Sequence, residues 1–504
     1  MSDLVRIELE PLGETIHVER GTALQSVLPA YGVEFPCGGR GRCAGCRVKS
    51  TGGFLGASDD QAEVLTRDEL AEGWRLACRC TVEGDVTLDI GQWETVVLAD
   101  HSSFEFTPRS GAGIAVDLGT TTVAAQLLDL RFGRVLAVRT AVNPQTAHGS
   151  DVMSRIQVAV GGGGRAKLVE DIRSWMGDFL MKLLESATLQ DTRVDTVVIV
   201  GNTVMHHLFC GIDLEPLSRW PFETEQGGPH RFRARDLGWR IDGDPAVRFL
   251  PCLGGFVGSD VLCGVLATGM HRSDTPIILV DLGTNGEIII GNRKRLICAS
   301  TAAGPAFEGG GITMGMRATT GAISEVRAEG GRLRCRVVGD VAPRGICGSG
   351  LVDAVAAGLD LGLIQPSGRL ANAGRPIELA PPVTLVQRDI RQLQMAKAAI
   401  AAAMRILRQR FGDEAWQTVP VYLAGAFGNY VNRASARRIG LIDCPDEKIR
   451  PAGNTALLGA KMALFVGGPG RDDFGEVRDR VEHVRLGCDP AFQKTYVDEL
   501  AFPE

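Results

Sequence analysis

The sequence of 504 residues contains no run of about 18 uncharged apolar residues, the least a helix needs to span a bilayer, so no membrane segment is expected. It also lacks any block of clustered Lys and Arg. With 54 basic against 60 acidic residues the formal net charge is -6, which argues against nucleic acid as a main partner. The start, Met1-Ser2-Asp3-Leu4-Val5-Arg6-Ile7-Glu8, has no positive segment followed by an apolar one. No signal peptide is therefore expected, and the expected location is cytoplasmic. The 13 cysteines, an odd number without an export signal, predict reduced thiols or metal ligands rather than disulfides. What is present is ordinary for a globular protein, 44% hydrophobic and 23% charged, and the length allows several domains with separate cores.

Chemistry enters at residues 277–290. The apolar run Ile277-Ile278-Leu279-Val280 reaches Asp281, the turn Gly283-Thr284-Asn285-Gly286 follows, and Glu287-Ile288-Ile289-Ile290 leaves. Strand formers flanking Asn-Gly predict a β-hairpin with positive φ at the turn. A hairpin alone gives no reason for an aspartate at the end of its buried first strand. The pattern occurs earlier too, at Gly113-Ile114-Ala115-Val116-Asp117-Leu118-Gly119-Thr120-Thr121. Two copies predict an internal duplication, two half-domains facing each other across a cleft. Gly and Thr in each turn can offer N–H groups and hydroxyls to phosphates, and each Asp can hold or orient a hydrated Mg²⁺. These paired hairpins resemble the two phosphate loops of the actin, sugar-kinase and Hsp70 superfamily of ATPases. Val421-Tyr422-Leu423-Ala424-Gly425-Ala426-Phe427-Gly428-Asn429 resembles that superfamily's adenosine motif, where missing side chains let the backbone approach the nucleotide.

Residues 1–94 read differently. Alternation at Val5-Arg6-Ile7-Glu8-Leu9-Glu10 predicts a half-buried strand, Thr15-Ile16-His17-Val18-Glu19 its hairpin partner, and the stretch from Ala23 to Pro29 a short helix. Cys37, Cys43 and Cys46 then lie in a glycine-rich loop with Cys-x5-Cys-x2-Cys spacing, and Cys78 and Cys80 come far downstream. Four thiolates can hold two irons, and Gly38, Gly39, Gly41 and Gly45 let such a loop wrap closely. The alternatives are a zinc site or a redox dithiol at Cys43 and Cys46. Structural zinc sites usually pair two Cys-x2-Cys knuckles, whereas the second half here is Cys78-Arg79-Cys80. On an expected strand Cys78 and Cys80 would share one face, so either can be the fourth ligand. Strand–strand–helix–cysteine loop is the order of a β-grasp ferredoxin. The plant-type spacing is one residue shorter, and the longer gap resembles the adrenodoxin-like variant. The Arg75-Leu76-Ala77-Cys78 context resembles ferredoxins and implies Cys37, Cys43, Cys46 and Cys78 as ligands of a [2Fe–2S] cluster.

Residues 95–112, Ser-rich with Pro108 and Gly111, predict a linker. Residues 113–270 and 271–504 are then the first and second halves of the ATPase. Ser150 or Asp151 is expected to cap a helix, and the period through Leu168, Ile172, Met176, Leu180 and Leu183 predicts another. His206 and His207, adjacent on an expected helix, diverge by about 100° and suit a shared metal poorly, so they are expected in a core or an interface. Cys210, Cys252, Cys263, Cys298, Cys335, Cys347, Cys444 and Cys488 are expected as packing thiols. Of the Gly-rich stretches 251–260, 300–311 and 345–353, at least one should line the cleft.

A ferredoxin domain fused to an actin-like ATPase resembles the reductive activators of corrinoid-dependent enzymes. Further residues carry the resemblance: Asn143-Pro144-Gln145-Thr146, Val200-Gly201-Asn202-Thr203, Gly254-Gly255-Phe256-Val257-Gly258 and Gly304-Pro305-Ala306-Phe307-Glu308-Gly309. Longer members carry a middle domain between linker and ATPase, for which this chain has no room. The resemblance implies a fold of two kinds, an N-terminal β-grasp [2Fe–2S] domain and a duplicated ribonuclease H-like ATPase. It implies ATP, Mg²⁺ and a [2Fe–2S] cluster as cofactors, and a corrinoid protein and a low-potential electron donor as partners. Asp117 and Asp281 would orient Mg²⁺ and the attacking water; Gly119, Thr120, Thr121, Gly283, Thr284, Asn285 and Gly286 would hold phosphates; Gly425, Ala426, Phe427, Gly428 and Asn429 would hold adenosine. A [2Fe–2S] centre near about -400 mV reduces Co(II) to Co(I) only uphill. Each ~59 mV costs tenfold, about 1.4 kcal/mol for one electron, which nucleotide binding energy can offset. Two other readings are a redox-linked small-molecule kinase, for which no carboxylate base beside an acceptor hydroxyl stands out, and an electron carrier that uses nucleotide only to control docking.

Overall fold

The computed structural model describes residues 4–10, 14–28, 33, 41, 46–53, 55, 59–90, 104, 106–149, 151–186, 193–283, 285–318, 321–338, 341–372, 375–412, 416–466 and 473–504. Among them no helix is long and apolar enough to cross a membrane.

The N-terminal part is a five-stranded sheet. Leu4–Glu10 lies antiparallel to Glu14–Glu19 and parallel to Val86–Asp89; Arg47–Gly53 and Trp74–Leu76 complete it. The expected alternation holds: Val5, Ile7 and Leu9 are buried with Leu24, Val48, Leu76 and Leu88, and the short helix is Leu24–Val27. This is the expected β-grasp arrangement. Its Trp74 ring lies under the Arg344 guanidinium, 5.1 Å from the ring centroid.

The rest is built on two six-stranded sheets. In the first, Ala112–Leu118 pairs antiparallel with Thr122–Asp129, which pairs with Arg134–Val142; on its other side Ala112–Leu118 runs parallel to Val194–Val200. In the second, Ile277–Leu282, Gly286–Gly291 and Leu296–Thr301 form the same antiparallel run, and Ile277–Leu282 runs parallel to Val421–Ala424. Apolar runs buried on both faces make each leading strand central rather than an edge. The helix Gly164–Ser186 covers the outer face of the first sheet with the expected Leu168, Ile172, Met176, Leu180 and Leu183, all buried. Asp151 caps the preceding helix Val152–Val160 in a capping box with Ser154. The long helix Gln387–Phe411 packs on the second sheet.

Between the sheets lie two short helices, Ser259–Ala267 and Thr455–Phe465, whose apolar residues share one core with Ala115, Val198, Leu279 and Ile289. A Cβ on Gly459 would lie 2.3 Å from Cys263 Cβ, so glycine is what lets the two helices touch. Both start toward the same side of the molecule, where the hairpins end. Of the residues expected as linker, those described pack on the ATPase part. Phe104 and Phe106 pack on Phe465, Arg109 donates to the Leu464 carbonyl at 2.8 Å, and the first strand begins at Ala112. Residues 95–103 and 105 lie outside the described residues.

Candidate functional site

The two hairpins open on a cavity of 780 Å³. Of the residues singled out by sequence, Asp117, Gly119, Thr120, Thr121, Asp281, Gly283, Asn285, Gly425 and Phe427 line it together. Gly286 and Gly428 stand behind the wall, their α-carbons against Ile400 and Leu423. Thr284 lies outside the described residues, and Ala426 and Asn429 belong to the helix Gly425–Tyr430. The hairpin turn corrects one expectation: neither Asn285 nor Gly286 takes positive φ. The Gly283 N–H donates to the Asn285 carbonyl at 3.1 Å, as the Gly119 N–H does to that of Thr122 in the first hairpin. Glycine is needed for space instead: a Cβ on Gly119 would lie 2.5 Å from the Thr122 oxygen. Positive φ falls at Gly425, at +81°, where a Cβ would meet Asp281 Oδ1 at 2.7 Å. Phe427 stacks on Phe307 at 4.7 Å, so the 300–311 stretch does reach the cleft.

Acid dominates the wall. Seven carboxylates line it, from Asp117, Asp260, Asp281, Glu287, Glu308, Glu325 and Asp353, with Arg317 as the cation among the lining residues. Burial pushes the Asp117 carboxyl up to about 6, partly countered by a hydrogen bond from Asn454 Nδ2 at 2.9 Å. Burial, then the charge of Asp117, pushes Asp281 up to about 7. Asp260, in the first turn of Ser259–Ala267, is raised by burial and by the charges of Asp281 and Asp117, against the stabilising N–H of Val261 at 2.8 Å. Glu287, opposite Asp281 across the hairpin, is raised by burial and by the charges of Asp260 and Asp281. Like charges gathered away from water hold protons until a cation replaces them. The oxygen-rich set suits a hard divalent cation such as Mg²⁺.

Sequence reasoning named the 251–260 stretch as a cleft candidate but gave Asp260 itself no role, and it did not single out Asn454. Gly258-Ser259-Asp260 reads locally as an ordinary helix start, and only packing between the sheets brings that start to Asp281. A Cβ on Gly258 would lie 2.2 Å from the Gly201 oxygen, and Ser259 N–H bonds that same oxygen at 3.0 Å. Asn454 caps Thr455–Phe465 through the Leu457 N–H at 2.8 Å while its amide faces Asp117.

The motif residues quoted for the family support the Gly119–Thr121 turn from behind. Asn143 Nδ2 donates to the Gly119 carbonyl and Asn202 Nδ2 to Thr120 Oγ1, both at 2.8 Å. Arg155, fully buried, donates to the Thr120 carbonyl and, at 3.0 Å, to that of Gly149. His206 and His207 are buried, as expected.

In the N-terminal domain Cys37 and Cys43 lie outside the described residues. Cys46 and Cys78 bring their sulfurs to 3.3 Å, a separation two thiolates on one tetrahedral iron can take. Cys78 and Cys80 do not share a strand face. Residues Ala77–Arg79 form a single tight helical turn, which rotates Cys80 into the core, where Gln61 Nε2 reaches its sulfur at 3.5 Å. Burial pushes that thiol up to about 11, opposite to what a ligand thiolate needs.

Known families match along the chain. A 2Fe-2S iron-sulfur cluster binding domain matches residues 7–83, the RACo middle region 112–273, and the C-terminal domain of RACo, the ASKHA domain, 275–504. The middle region, expected to be missing, is therefore present: it carries Asp117 and the whole first sheet. The corrinoid activation enzyme RamQ of Eubacterium limosum is 30% identical, with 99% of each chain covered. The [Co(II) methylated amine-specific corrinoid protein] reductase of Methanosarcina barkeri is 29% identical over 77% of each. The solved structure of a reductive activator for corrinoid, iron-sulfur protein matches with a TM-score of 0.69 and 26% identity, covering 99% of this chain and 98% of that one. A ferredoxin-type domain and an actin-like ATPase on one chain, with a relative of such identity over nearly the full length of both, mean that this protein belongs to the RACo family of corrinoid reductive activators.

Proposed function

We propose that this chain spends ATP to pass an electron to the Co(II) of a corrinoid protein, regenerating the Co(I) needed for methyl transfer. The observation that carries the reading is the union, on one chain, of the Cys46–Cys78 thiol pair with a carboxylate-lined cleft between two phosphate-type hairpins. In this reading residues 1–94 form the electron-transfer domain, 95–112 the linker, and 113–270 and 271–504 the two halves of the ATPase; the repeated strand order of the two sheets supports treating them as duplicated halves.

Cys37, Cys43, Cys46 and Cys78 would hold the [2Fe–2S] cluster, which supplies one-electron chemistry at low potential when bound. Gly119 to Thr121 and Gly283 to Gly286 would receive phosphates, and Gly425 to Asn429 the adenosine, with the Phe427–Phe307 stack as its apolar floor. Asp117 and Asp281 would hold and orient Mg²⁺; a tetraanionic nucleotide would not enter so acidic a wall without one. Asp260, with its raised carboxyl, is suited to take a proton from the attacking water. Asn143, Asn202 and Arg155 keep the first turn in place from behind. ATP drives the uphill transfer only to the extent that it favours one docked state over another, and hydrolysis resets the cleft. A low-potential donor would reload the N-terminal domain.

The test is anaerobic absorbance of a Co(II) corrinoid protein from the same organism, mixed with this protein and a low-potential reductant, with and without ATP. A Co(I) band that needs ATP supports the activator. No ATP dependence with an intact cluster signal, together with a phosphorylated small molecule, would replace it by the redox-linked kinase.

A further inference from the structure

The histidine pair passed over in the sequence acquires a different set of neighbours in the fold. His206 and Cys210 stand one turn apart on the helix Thr203–Cys210, on one face, and His230 starts the edge strand His230–Arg233 opposite them. One ring nitrogen each of His206 and His230 and the Cys210 sulfur all lie within 4.8 Å of one another. His207 is not part of the set: its Nε2 lies 2.9 Å from Thr224 Oγ1 and its Nδ1 3.3 Å from His206 Nδ1. We propose that His206, Cys210 and His230 form a site for a borderline-soft divalent cation of the zinc class, separate from the nucleotide cleft.

The chemistry of the three residues fits that ion. Imidazole and thiolate are the donors zinc prefers, and three protein ligands with an open fourth position are a common tetrahedral arrangement. Tetrahedral Zn–N and Zn–S bonds of about 2.0–2.3 Å place ligand atoms about 3.4–3.7 Å apart, so small side-chain rotations from the separations here suffice. The Gly228 carbonyl lies 3.0 Å from His206 Nε2. A carbonyl only accepts, so Nε2 carries the proton, the support that metal-binding histidines commonly receive, and Nδ1, which lies 3.3 Å from His207 Nδ1, is the nitrogen left to turn to the ion. The rings are also fixed by packing: His206 meets Phe249 edge-on at 4.9 Å, and His230 stacks on Phe232 at 6.3 Å. A thiol binds a metal as its thiolate, so the Cys210 S–H proton would pass to solvent as the S–metal bond forms. No electron moves. The ion would tie the segment ending at His230 to the helix behind the first phosphate turn, which Asn202 caps.

The full-length protein, isolated anaerobically, is incubated with two equivalents of Zn²⁺, desalted and its metals counted, beside Cys210→Ser and His230→Ala. Wild type should retain about one zinc beyond its iron and release about one proton per zinc at pH 7; each variant should lose that zinc while keeping its iron and its circular dichroism. Zinc K-edge spectroscopy separates this site from zinc in the cluster cysteines: one sulfur with nitrogen neighbours here, four sulfurs there. Zinc retained equally by both variants, an all-sulfur shell, or no zinc in wild type would each overturn the proposal.

Discussion

Asn454 Nδ2 donates a 2.9 Å hydrogen bond to Asp117 Oδ2 across 337 residues of chain. The same amide's oxygen caps its helix by accepting from the Leu457 N–H at 2.8 Å. One side chain therefore couples the start of a helix packed between the sheets to the first carboxylate of the cleft.

Two substitutions separate these roles. Asn454→Ala removes both, and loss of the cap should cost about 1 kcal/mol of stability. Asn454→Asp keeps a capping oxygen but sets a second carboxylate on Asp117, raising its pKa further. We expect ATP hydrolysis to fall at least about tenfold in both, a barrier increase of ~1.4 kcal/mol, with Tm lowered more in the alanine variant. An aspartate variant as active as wild type would remove Asn454 from the site.

The raised carboxyls make a signed pH prediction. With Asp117 near 6 and Asp281 near 7 in the fold, both above the usual carboxylate value of about 3.9, the native state holds protons that the unfolded chain has lost. Their contribution to stability is thus present below about pH 4 and is lost as pH rises through 6 to 7. On the proposed reading Mg²⁺ with ADP displaces those protons, so its stabilising effect should grow from pH 6 to 8.5. Scanning calorimetry of wild type and Asp281→Asn, with and without the ligand, checks both signs. The variant should lose less stability than wild type as pH rises without ligand; an equal or steeper loss would refute the assignment.

The hairpins were legible because a buried apolar run ending in aspartate and a small-residue turn is a local pattern, and it occurs twice. The β-grasp order and the thiol spacing were local too. What escaped was set by distant packing. Asp260 looks like any helix start until Gly258 lets that helix press on Gly201, and Asn454 looks like any cap. The Asn285-Gly286 turn misled for the opposite reason: its glycine is required by Ile400, a residue more than a hundred positions away, not by its own dihedral angles. Cys80 was placed on the wrong face because a single helical turn at Ala77–Arg79 breaks the two-residue period of a strand.

That turn distinguishes the two downstream cysteines by experiment. Cys78→Ser should abolish the visible iron–sulfur spectrum and the bound iron, since its sulfur faces Cys46 at 3.3 Å. Cys80→Ser should keep both and lose only stability, by putting a hydroxyl into the apolar core beside Gln61. Iron counts and visible circular dichroism of the two variants decide. If the pattern is reversed, the fourth ligand is Cys80 and the Ala77–Arg79 turn must rearrange around the cluster.

Gly425→Ala tests whether the turn at Gly425, proposed to hold adenosine, and the Asp281 carboxylate act as one unit. At φ +81° an alanine costs about 1–2 kcal/mol in backbone strain alone. Its methyl group would also stand 2.7 Å from Asp281 Oδ1, so the carboxylate or the turn must shift. Strain by itself lowers Tm and leaves nucleotide affinity in the folded protein unchanged. If Asp281 holds Mg²⁺ as proposed, its displacement lowers affinity for Mg²⁺–ATP more than for metal-free ADP, because only the former would use that carboxylate. Calorimetric titration of both ligands against Gly425→Ala should show the larger loss for Mg²⁺–ATP, by about tenfold or more, with the iron–sulfur spectrum unchanged. Equal losses for the two ligands would mean that the turn contacts adenosine alone and that Asp281 is held in place by its own strand.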